Sequence, residues 1–424
     1  MPGLRAALAA LTTRGRCLLA AGLALGLSAF QLDQRDLVRV AVFLVALPLA
    51  AVMLVARTRY RLSCTRRLEP SRVEAGHPAS TVLRLDNVSR LPTGLLLLED
   101  ALPYTLGGRP RFVLERVEPG ARRQVSYTVR SDLRGRYRVG PLSVRLTDPF
   151  GLCELTRAFS ATDDLIVTPI VSALPPVRLG GDWAGGGDAA ARSIATSGSD
   201  DAATREYRHG DDLRKVHWRS TARVGELMVR REEQPFQSRA TLLLDSRAGA
   251  HRGDGPASSF EWAVSALASI AVSLARSGFA LHLVQDGGQD LTHSGLPITE
   301  AVVLDALATI GPSRASTLEQ AGIRLRRGGA DGVLIAVLGT LDLEDATRLA
   351  RLKHGSATCI AVLIDADSWA PLPGRPRQQA LRSYDAVAAL LVRSGWRVLP
   401  VSHGTTLASV WPLAGNRAVA AVPG

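Results

Sequence analysis

Cysteine and aromatic residues are scarce in this chain of 424 residues. Aromatic side chains make up only 5% of the sequence, and there are four cysteines: Cys17, Cys64, Cys153 and Cys359. The cysteines lie far apart and form no Cys-x-x-Cys pair or Cys/His cluster. This pattern excludes a disulfide scaffold, argues against a structural zinc site and favours a reducing compartment. Apolar residues still make up 46%, which is too high for a disordered chain.

Acidic residues are also outnumbered. There are 39 Asp and Glu against 51 Lys and Arg, which gives a net charge of +12 at pH 7. Such a surplus has three candidate sources: nucleic-acid binding, an anionic membrane surface, or an arginine-rich composition without a charged partner. The positions of the basic residues must therefore decide among them.

Two apolar runs open the chain, over residues 17–32 and 37–56. The second has the roughly 20 residues that cross a bilayer, and the first is slightly shorter. The loop between them, Asp33 to Asp36, is short and carries no net positive charge. The sequence therefore predicts a transmembrane hairpin that follows an N-terminal tail within residues 1–56.

Arginines flank this hairpin on its outer sides. They are Arg5, Arg14 and Arg16 before it, and Arg57, Arg59, Arg61, Arg66 and Arg67 after it. The positive-inside rule then predicts a two-pass protein with both termini in the cytoplasm and the short loop outside. A cleaved signal peptide is the rival interpretation, but a second span follows at once and the cleavage site would be poor.

The rest of the chain changes character three times. Residues 57–177 carry short alternating apolar stretches between turn residues, which predicts a small β-sandwich. Residues 178–204 are rich in Gly, Ala, Ser and Asp, as linkers are. The Gly185-Gly186-Gly187 run in this linker is not a phosphate loop, because no strand precedes it and no Gly-Lys-Ser/Thr follows it. Residues 205–235 form a dense motif, and residues 236–424 complete the chain.

Strand and helix patterns alternate through residues 236–424. The predicted strands are nearly continuous runs of Val, Ile and Leu, as in parallel strands that are covered on both faces. Repeated strand–helix units of this length predict a doubly wound α/β domain. Ligands of such sheets bind at the carboxyl ends of the strands. Those ends carry Asp245-Ser246, Gln285-Asp286, Gly339-Thr340 and Asp365-Ala366-Asp367.

A degenerate metal motif follows the first of these strands. A von Willebrand A-type metal site would require Asp-x-Ser-x-Ser, whereas this chain has Asp245-Ser246-Arg247-Ala248-Gly249. Arg247 and Gly249 stand at the two later Ser positions, and a cation beside Arg247 would be repelled. Asp245 and Ser246 are therefore interpreted as caps of the next turn, and no metal or other cofactor is expected.

The dense motif runs from Arg205 to Pro235. Eight Arg and Lys fall between Arg205 and Arg231, interleaved with Tyr207, His217 and Trp218. Arginine with aromatic neighbours suits phosphate and base stacking, although the acidic residues between them lower the local charge. We therefore expect no nucleic-acid partner.

Catalysis and docking are the other two interpretations of this motif. His217 could act as a general base oriented by Asp211 or Asp212, but no distinctive nucleophile accompanies it. A packed, hydrogen-bonded histidine is the more common role for such a residue. An ion-paired docking surface explains both signs of charge and is preferred. Its pairs would join Arg219 and Arg223 to Asp211, Asp212 or Glu233.

These residues resemble the signature of the domain-of-unknown-function 58 family. Only Val216 departs from the signature, which has Ile there. Gly135-Arg136-Tyr137, Gly140-Pro141 and Asp148-Pro149-Phe150-Gly151 also resemble the family upstream. The matching signature residues that we take as the candidate docking site are Tyr207, Gly210, Asp211, Asp212, Arg214, His217, Trp218, Arg219, Thr221, Arg223, Gly225 and Glu233.

The resemblance implies a membrane-anchored protein with a von Willebrand A-like C-terminal region. Members are encoded beside MoxR-type AAA+ ATPases and transglutaminase-like membrane proteins, and no enzymatic activity is established for them. The sequence therefore predicts a non-enzymatic inner-membrane adaptor that works with such an ATPase and other membrane proteins. The alternative is an enzyme centred on His217 and Asp211 or Asp212.

Overall fold

The structure is a computed structural model. It describes residues 10–57, 62–90, 92–148, 150–179, 204–207, 216, 218–230, 239–289, 299–327, 332–353, 357–371, 373–374 and 376–415. The chain divides into two compact units, Met1–Thr168 and Pro169–Gly424, and each is described by itself. The division differs from the domain limits expected above, because residues 169–179 go with the second unit rather than with the β-rich segment.

Both apolar runs of the first unit are helical. Helix α1 spans Thr13–Gln31 and helix α2 spans Arg35–Arg57. The connection turns at Asp33, whose φ of 47° lies in the left-handed region. The two helices pack closely at Gly22, where a Cβ atom would lie 2.8 Å from Val45 Cγ2. One helix, over Arg35–Met53, is long and apolar enough to cross a membrane.

After the two helices, the described residues of the first unit form ten strands. Their burial alternates along the chain, most clearly in β3, as expected for strands with one face on a core. Two antiparallel sheets, ordered β1-β3-β6 and β5-β4-β8-β9, face each other across one apolar core. A third sheet has the order β2-β10-β7. The strands are β1 Leu62–Glu69, β2 Arg72–Glu74, β3 Pro78–Asn87, β4 Leu95–Asp100, β5 Arg111–Leu114, β6 Arg122–Arg130, β7 Gly135–Val139, β8 Leu142–Thr147, β9 Glu154–Phe159 and β10 Asp163–Thr168.

The second unit contains a small hairpin and a parallel sheet. The hairpin pairs β11, Thr204–Glu206, with β12, Met228–Arg230, and the short helix α3, Trp218–Val224, lies between them in sequence. The five parallel strands have the order β14-β13-β15-β16-β17. They are β13 Arg239–Leu244, β14 Ala280–Gln285, β15 Val333–Leu338, β16 Thr358–Ile364 and β17 Arg397–Val401.

Helices cover both faces of this sheet, so the prediction of a parallel α/β unit is confirmed. Alternate residues of each strand point to opposite cores, as Leu242 and Leu243 do in β13. One core holds α4, Ser259–Arg276, and α5, Glu300–Thr309. The other holds α6, Glu319–Arg327, α7, Leu343–Ala350, and α8, Arg377–Arg393. The short α9, Leu407–Val410, follows β17.

Two features of this unit were not predicted. Helix α6 has only nine residues, and three of the last four are arginines. The sequence therefore shows no clear apolar periodicity there. The segment before the linker also behaves differently from expectation. Val171, Leu174 and Val177 pack on the core of the α/β unit, together with the buried Leu179.

Candidate functional site

The signature motif lies partly within the described residues. Tyr207, Trp218, Thr221, Arg223 and Gly225 belong to that part, and Arg219 lies within α3. The others lie outside the described residues: Gly210, Asp211, Asp212, Arg214, His217 and Glu233. The predicted ion pairs of this motif, and the catalytic alternative, therefore stay predictions.

Thr221 and Gly225 shape the chain between α3 and β12. The Gly225 amide donates to the Thr221 carbonyl at 2.8 Å, and the φ of Gly225 is +85°, a left-handed conformation that favours glycine. The Thr221 hydroxyl oxygen then accepts from the Met228 amide at 3.0 Å. The Tyr207 amide donates to the Leu227 carbonyl at 2.8 Å. These signature residues have a structural role in closing the hairpin.

Apolar side chains of the same segment face outwards. Trp218 is 70% exposed, Val224 is 58% exposed and Leu227 is 40% exposed. A large exposed tryptophan is unusual on a surface without a partner, and tryptophan is enriched among the residues that dominate binding energy at protein interfaces. The α3 segment therefore has the composition of a docking surface.

A buried arginine occupies the carboxyl end of β13. The Arg247 side chain binds both carboxylate oxygens of Asp245, through Nε at 2.8 Å and Nη2 at 2.9 Å. Its Nη1 donates to Asp345 Oδ2 at 2.7 Å. Arg247 is 5% exposed and both carboxylates are fully buried. One guanidinium thus joins two carboxylates at the edge where ligands of such sheets bind.

The protonation of this arginine is secured by its partners. Burial lowers the pKa of the Arg247 guanidinium, but the hydrogen bond and charge of Asp245 and the charge of Asp345 outweigh burial and raise it. Asp345 also accepts from Arg348 Nη1 at 3.1 Å. Two arginines therefore face two aspartates in this cluster.

Asp245 also makes the local contact expected of a cap. Its Oδ1 accepts from the Arg247 amide at 3.2 Å, and its Oδ2 accepts from the Gly339 amide at 3.2 Å. Ser246 points elsewhere, since its hydroxyl donates to Asp286 Oδ1 and accepts from Gln285 Nε2. The structure therefore does not bring Asp245 and Ser246 together around one point.

The carboxyl end of β16, two strands away in the sheet, also has a carboxylate paired with an arginine. Asp365, after β16, is paired through both carboxylate oxygens with Arg377 of α8. The cavity between Gly339, Asp365 and Tyr384 measures about 20 Å³, room for about one water molecule. Among the described residues, no group of three or more His, Cys, Asp or Glu could hold a metal ion. Asp345 lies 98 residues from Arg247, and no sequence pattern indicated that these two side chains would pair. The pairing of Arg377 with Asp365 was not predicted either.

A buried histidine supports the first turn after β13. His251 Nε2 lies 2.7 Å from the Asp245 carbonyl oxygen, which can only accept, so Nε2 carries the proton. Its Nδ1 faces the Ser259 hydroxyl at 3.3 Å. Burial lowers the pKa of His251, and the charges of Arg247 and Arg252 lower it further against the opposing effect of Asp245.

We expect this histidine to make the second unit less stable in acid. Because its folded pKa lies below the ordinary value near 6.5, the unfolded chain takes up the proton first, and stability is lost as pH falls below about 6.5. The slope is at most about 1.4 kcal/mol per pH unit for one proton. All six tryptophans lie after residue 169, so tryptophan fluorescence during denaturant unfolding reports on this unit. His251→Gln should flatten the dependence between pH 5.5 and 7.5, and an unchanged slope would contradict this assignment.

Comparison with known proteins supports the resemblance of the signature motif to the DUF58 family. A DUF58 match covers residues 203–378. The family model is described as Protein of unknown function DUF58. This DUF58 region contains both the described signature residues and the Arg247 cluster, so both features lie in the part of the chain that the family model covers.

The chain is also similar to one bacterial protein and, over about a quarter of its length, to solved structures. The chain is 26% identical over 313 residues to the Uncharacterized protein YeaD of Bacillus subtilis, which covers 70% of this chain and 74% of that protein. Among solved structures, a CARDB domain from Pyrococcus furiosus matches 26% of this chain and 90% of its own, with 13% identity and a TM-score of 0.20. The complex of Zinc 2-glycoprotein and Prolactin inducible protein from human seminal plasma matches 26% of this chain, and 98% of the matched chain, with 10% identity and a TM-score of 0.20. Scores this low carry nothing about the function of this chain.

Proposed function

We propose that this chain is a bacterial inner-membrane adaptor that docks a MoxR-type AAA+ ATPase through its DUF58 region. Helices α1 and α2 are the two-pass anchor, and both termini lie in the cytoplasm. The apolar span of α2 and the arginines on the outer flanks of the hairpin support this topology. The class of the partner comes from the family resemblance.

The α/β unit is proposed to be von Willebrand A-like, with an arginine in the place of a bound cation. The parallel sheet and the position of Asp245 after β13, an inner strand of that sheet, support this relation. Arg247 fills the space beside Asp245 with an internal positive charge. Ligand binding through a metal would need this side chain to leave, which favours a role through surface contacts.

The exposed Trp218 is the observation that carries the docking proposal. It is the first residue of α3, in the most distinctive segment of the sequence, and the same segment also exposes Val224 and Leu227. Interface tryptophans of this kind contribute 2 kcal/mol or more when they are central, as a rough rule. Docking on α3 explains why the signature combines an exposed aromatic side chain with residues that fix a turn.

We expect Trp218→Ala to weaken binding of the ATPase by about tenfold or more. The full-length chain in lipid nanodiscs would be titrated with the purified ATPase. Leu343→Ala is the matched control, because Leu343 is another exposed large apolar residue of the same unit, at 54% exposure. Equal affinity of the Trp218 variant and the native chain would reject α3 as the docking surface.

A further inference from the structure

We propose that the end of the β-rich unit next to the helical hairpin rests on the membrane surface, with Phe150 inserted among the lipid headgroups. This inference rests on the proposed membrane anchor and assigns a second, peripheral contact with the bilayer. The partner is the lipid surface itself.

The turn between β8 and β9 is bonded to the start of α1. The Thr12 amide donates to the Leu152 carbonyl at 3.0 Å, and the Thr12 hydroxyl donates to the Gly151 carbonyl at 2.7 Å. The Glu154 amide donates to the Ala10 carbonyl at 2.7 Å. This turn and the beginning of the hairpin therefore form one continuous structure.

Gly15 makes this approach possible. A Cβ atom at this position would lie 2.4 Å from the Leu152 carbonyl oxygen. That separation is too short for any side chain, so the backbone of the β8–β9 turn lies directly against the first turn of α1. The contact fixes the position of the turn along the axis of the hairpin.

Along the hairpin axis, the β8–β9 turn lies beside the apolar part of α2. Leu152 and Cys153 are buried in a cluster with Ala51, against which Leu18 and Leu47 also pack. Ala51 and Leu47 both belong to the candidate span Arg35–Met53. At 1.5 Å per residue, Leu47 lies about 9 Å inside the end of that span. A bilayer around the span therefore reaches the level of Leu152.

Phe150 stands two residues from Leu152 and faces outwards, with 64% of its surface exposed. Its amide donates to Asp148 Oδ2 at 3.0 Å, and Asp148 Oδ1 also accepts from the Cys153 amide. The buried Asp148 thus fixes the turn that presents the ring. An aromatic ring that is fixed and exposed at this level matches the aromatic side chains that line membrane interfaces.

Other exposed apolar residues gather at the same end. Leu95 starts β4 directly opposite Thr147, the last residue of β8, and Val88 follows the last residue of β3. They are 49% and 62% exposed. The end of β3 and the start of β4 are linked through Val117. The Asn87 side-chain amide and the Thr93 backbone amide both donate to the Val117 carbonyl. Three exposed apolar side chains therefore share one end of the unit.

Charge at this end suits an anionic bilayer. Arg14 and Arg16 are exposed on the first turn of α1, and Arg14 lies beside Gly151. The negative potential of anionic lipids attracts arginines next to a span. Apolar insertion and basic contacts thus occur on the same side.

Three exposed aromatic residues of this unit give a matched test. Phe43 lies in the span and is 62% exposed, Phe150 lies in the turn, and Tyr104 is 91% exposed. Tyr104 follows Asp100, at the far end of β4 from Leu95, and the six residues of β4 separate the two ends by about 17–20 Å. Each would be replaced singly by the photoreactive analogue benzoyl-phenylalanine in the full-length chain. The proteins would be placed in vesicles of phosphatidylethanolamine and phosphatidylglycerol and irradiated.

Covalent lipid adducts, counted by mass spectrometry, should form at positions 43 and 150 and be at least about tenfold rarer at 104. Adducts at 43 without adducts at 150 would overturn the surface contact while leaving the membrane anchor intact. Equal labelling at 150 and 104 would overturn it as well. Absence of adducts at 43 would instead reject the anchor, and with it this inference.

Discussion

Arg247→Ser should cost the second unit about 3–5 kcal/mol of unfolding free energy, the usual result of removing one partner from a buried ion pair. The substitution leaves Asp245 and Asp345 fully buried, with Arg348 as the remaining guanidinium in contact with Asp345. It also opens space between two carboxylates that a hard divalent cation can fill with oxygen ligands. The variant should therefore regain stability in Mg²⁺ or Mn²⁺, whereas the native chain should not respond.

Denaturant unfolding of the full chain in detergent, followed by tryptophan fluorescence with and without the cation, measures both effects. Arg276→Ser is the control, since Arg276 forms an exposed pair with Glu300 and such pairs contribute about 1 kcal/mol or less. A loss below about 1 kcal/mol for Arg247→Ser would show that the cluster does not hold the sheet edge together. Cation stabilisation of the native chain would show that Arg247 does not exclude metal.

Arg66→Met should destabilise the β-rich unit by a similar amount, about 3–5 kcal/mol. Arg66 binds Asp100 through Nη2 at 2.6 Å and Nε at 3.1 Å, and both side chains are almost fully buried. Tyr127 donates to the same carboxylate at 2.6 Å. Without the guanidinium, a buried carboxylate keeps only one side-chain donor among the described residues, and methionine replaces the chain length but not the charge.

Hydrogen exchange of peptides from residues 62–168 of the full chain measures this loss locally. Protection in β1 and β3 should fall by about a hundredfold or more, since 1.4 kcal/mol is a factor of ten. Arg122→Met is the control, because Arg122 pairs with Asp86 at the surface and its side chain is 61% exposed. Equal protection in the two variants would show that the Arg66–Asp100 pair does not support this unit.

Sequence patterns predicted the elements of this chain better than their contacts. The continuous apolar runs of β15 and β16 predicted a covered parallel sheet, because every residue of these two strands is buried. Helix α6 escaped prediction because its nine residues carry four charges, and only Ala321, Gly322 and Leu325 are buried. Short amphipathic helices depend on tertiary packing rather than on a local signal.

In the candidate sites, too, the sequence indicated individual residues but not the contacts between them. Replacement of a motif serine by Arg247 was visible in the sequence, but its pairing with Asp245 and Asp345 was not. Its second partner, Asp345, is 98 residues away, and only the parallel sheet brings the two together. Likewise, the motif around Phe150 was recognised only by its resemblance to the family, and the sequence did not predict that this turn is bonded to the start of α1.

The most direct test of the adaptor proposal is the interaction between the full-length chain in nanodiscs and a purified MoxR-type ATPase. The native full-length chain in nanodiscs should bind this ATPase, Leu343→Ala should bind equally well, and Trp218→Ala should bind about tenfold or more weakly. Failure of the native chain to bind the ATPase, with the signature intact and the protein folded, would contradict the account.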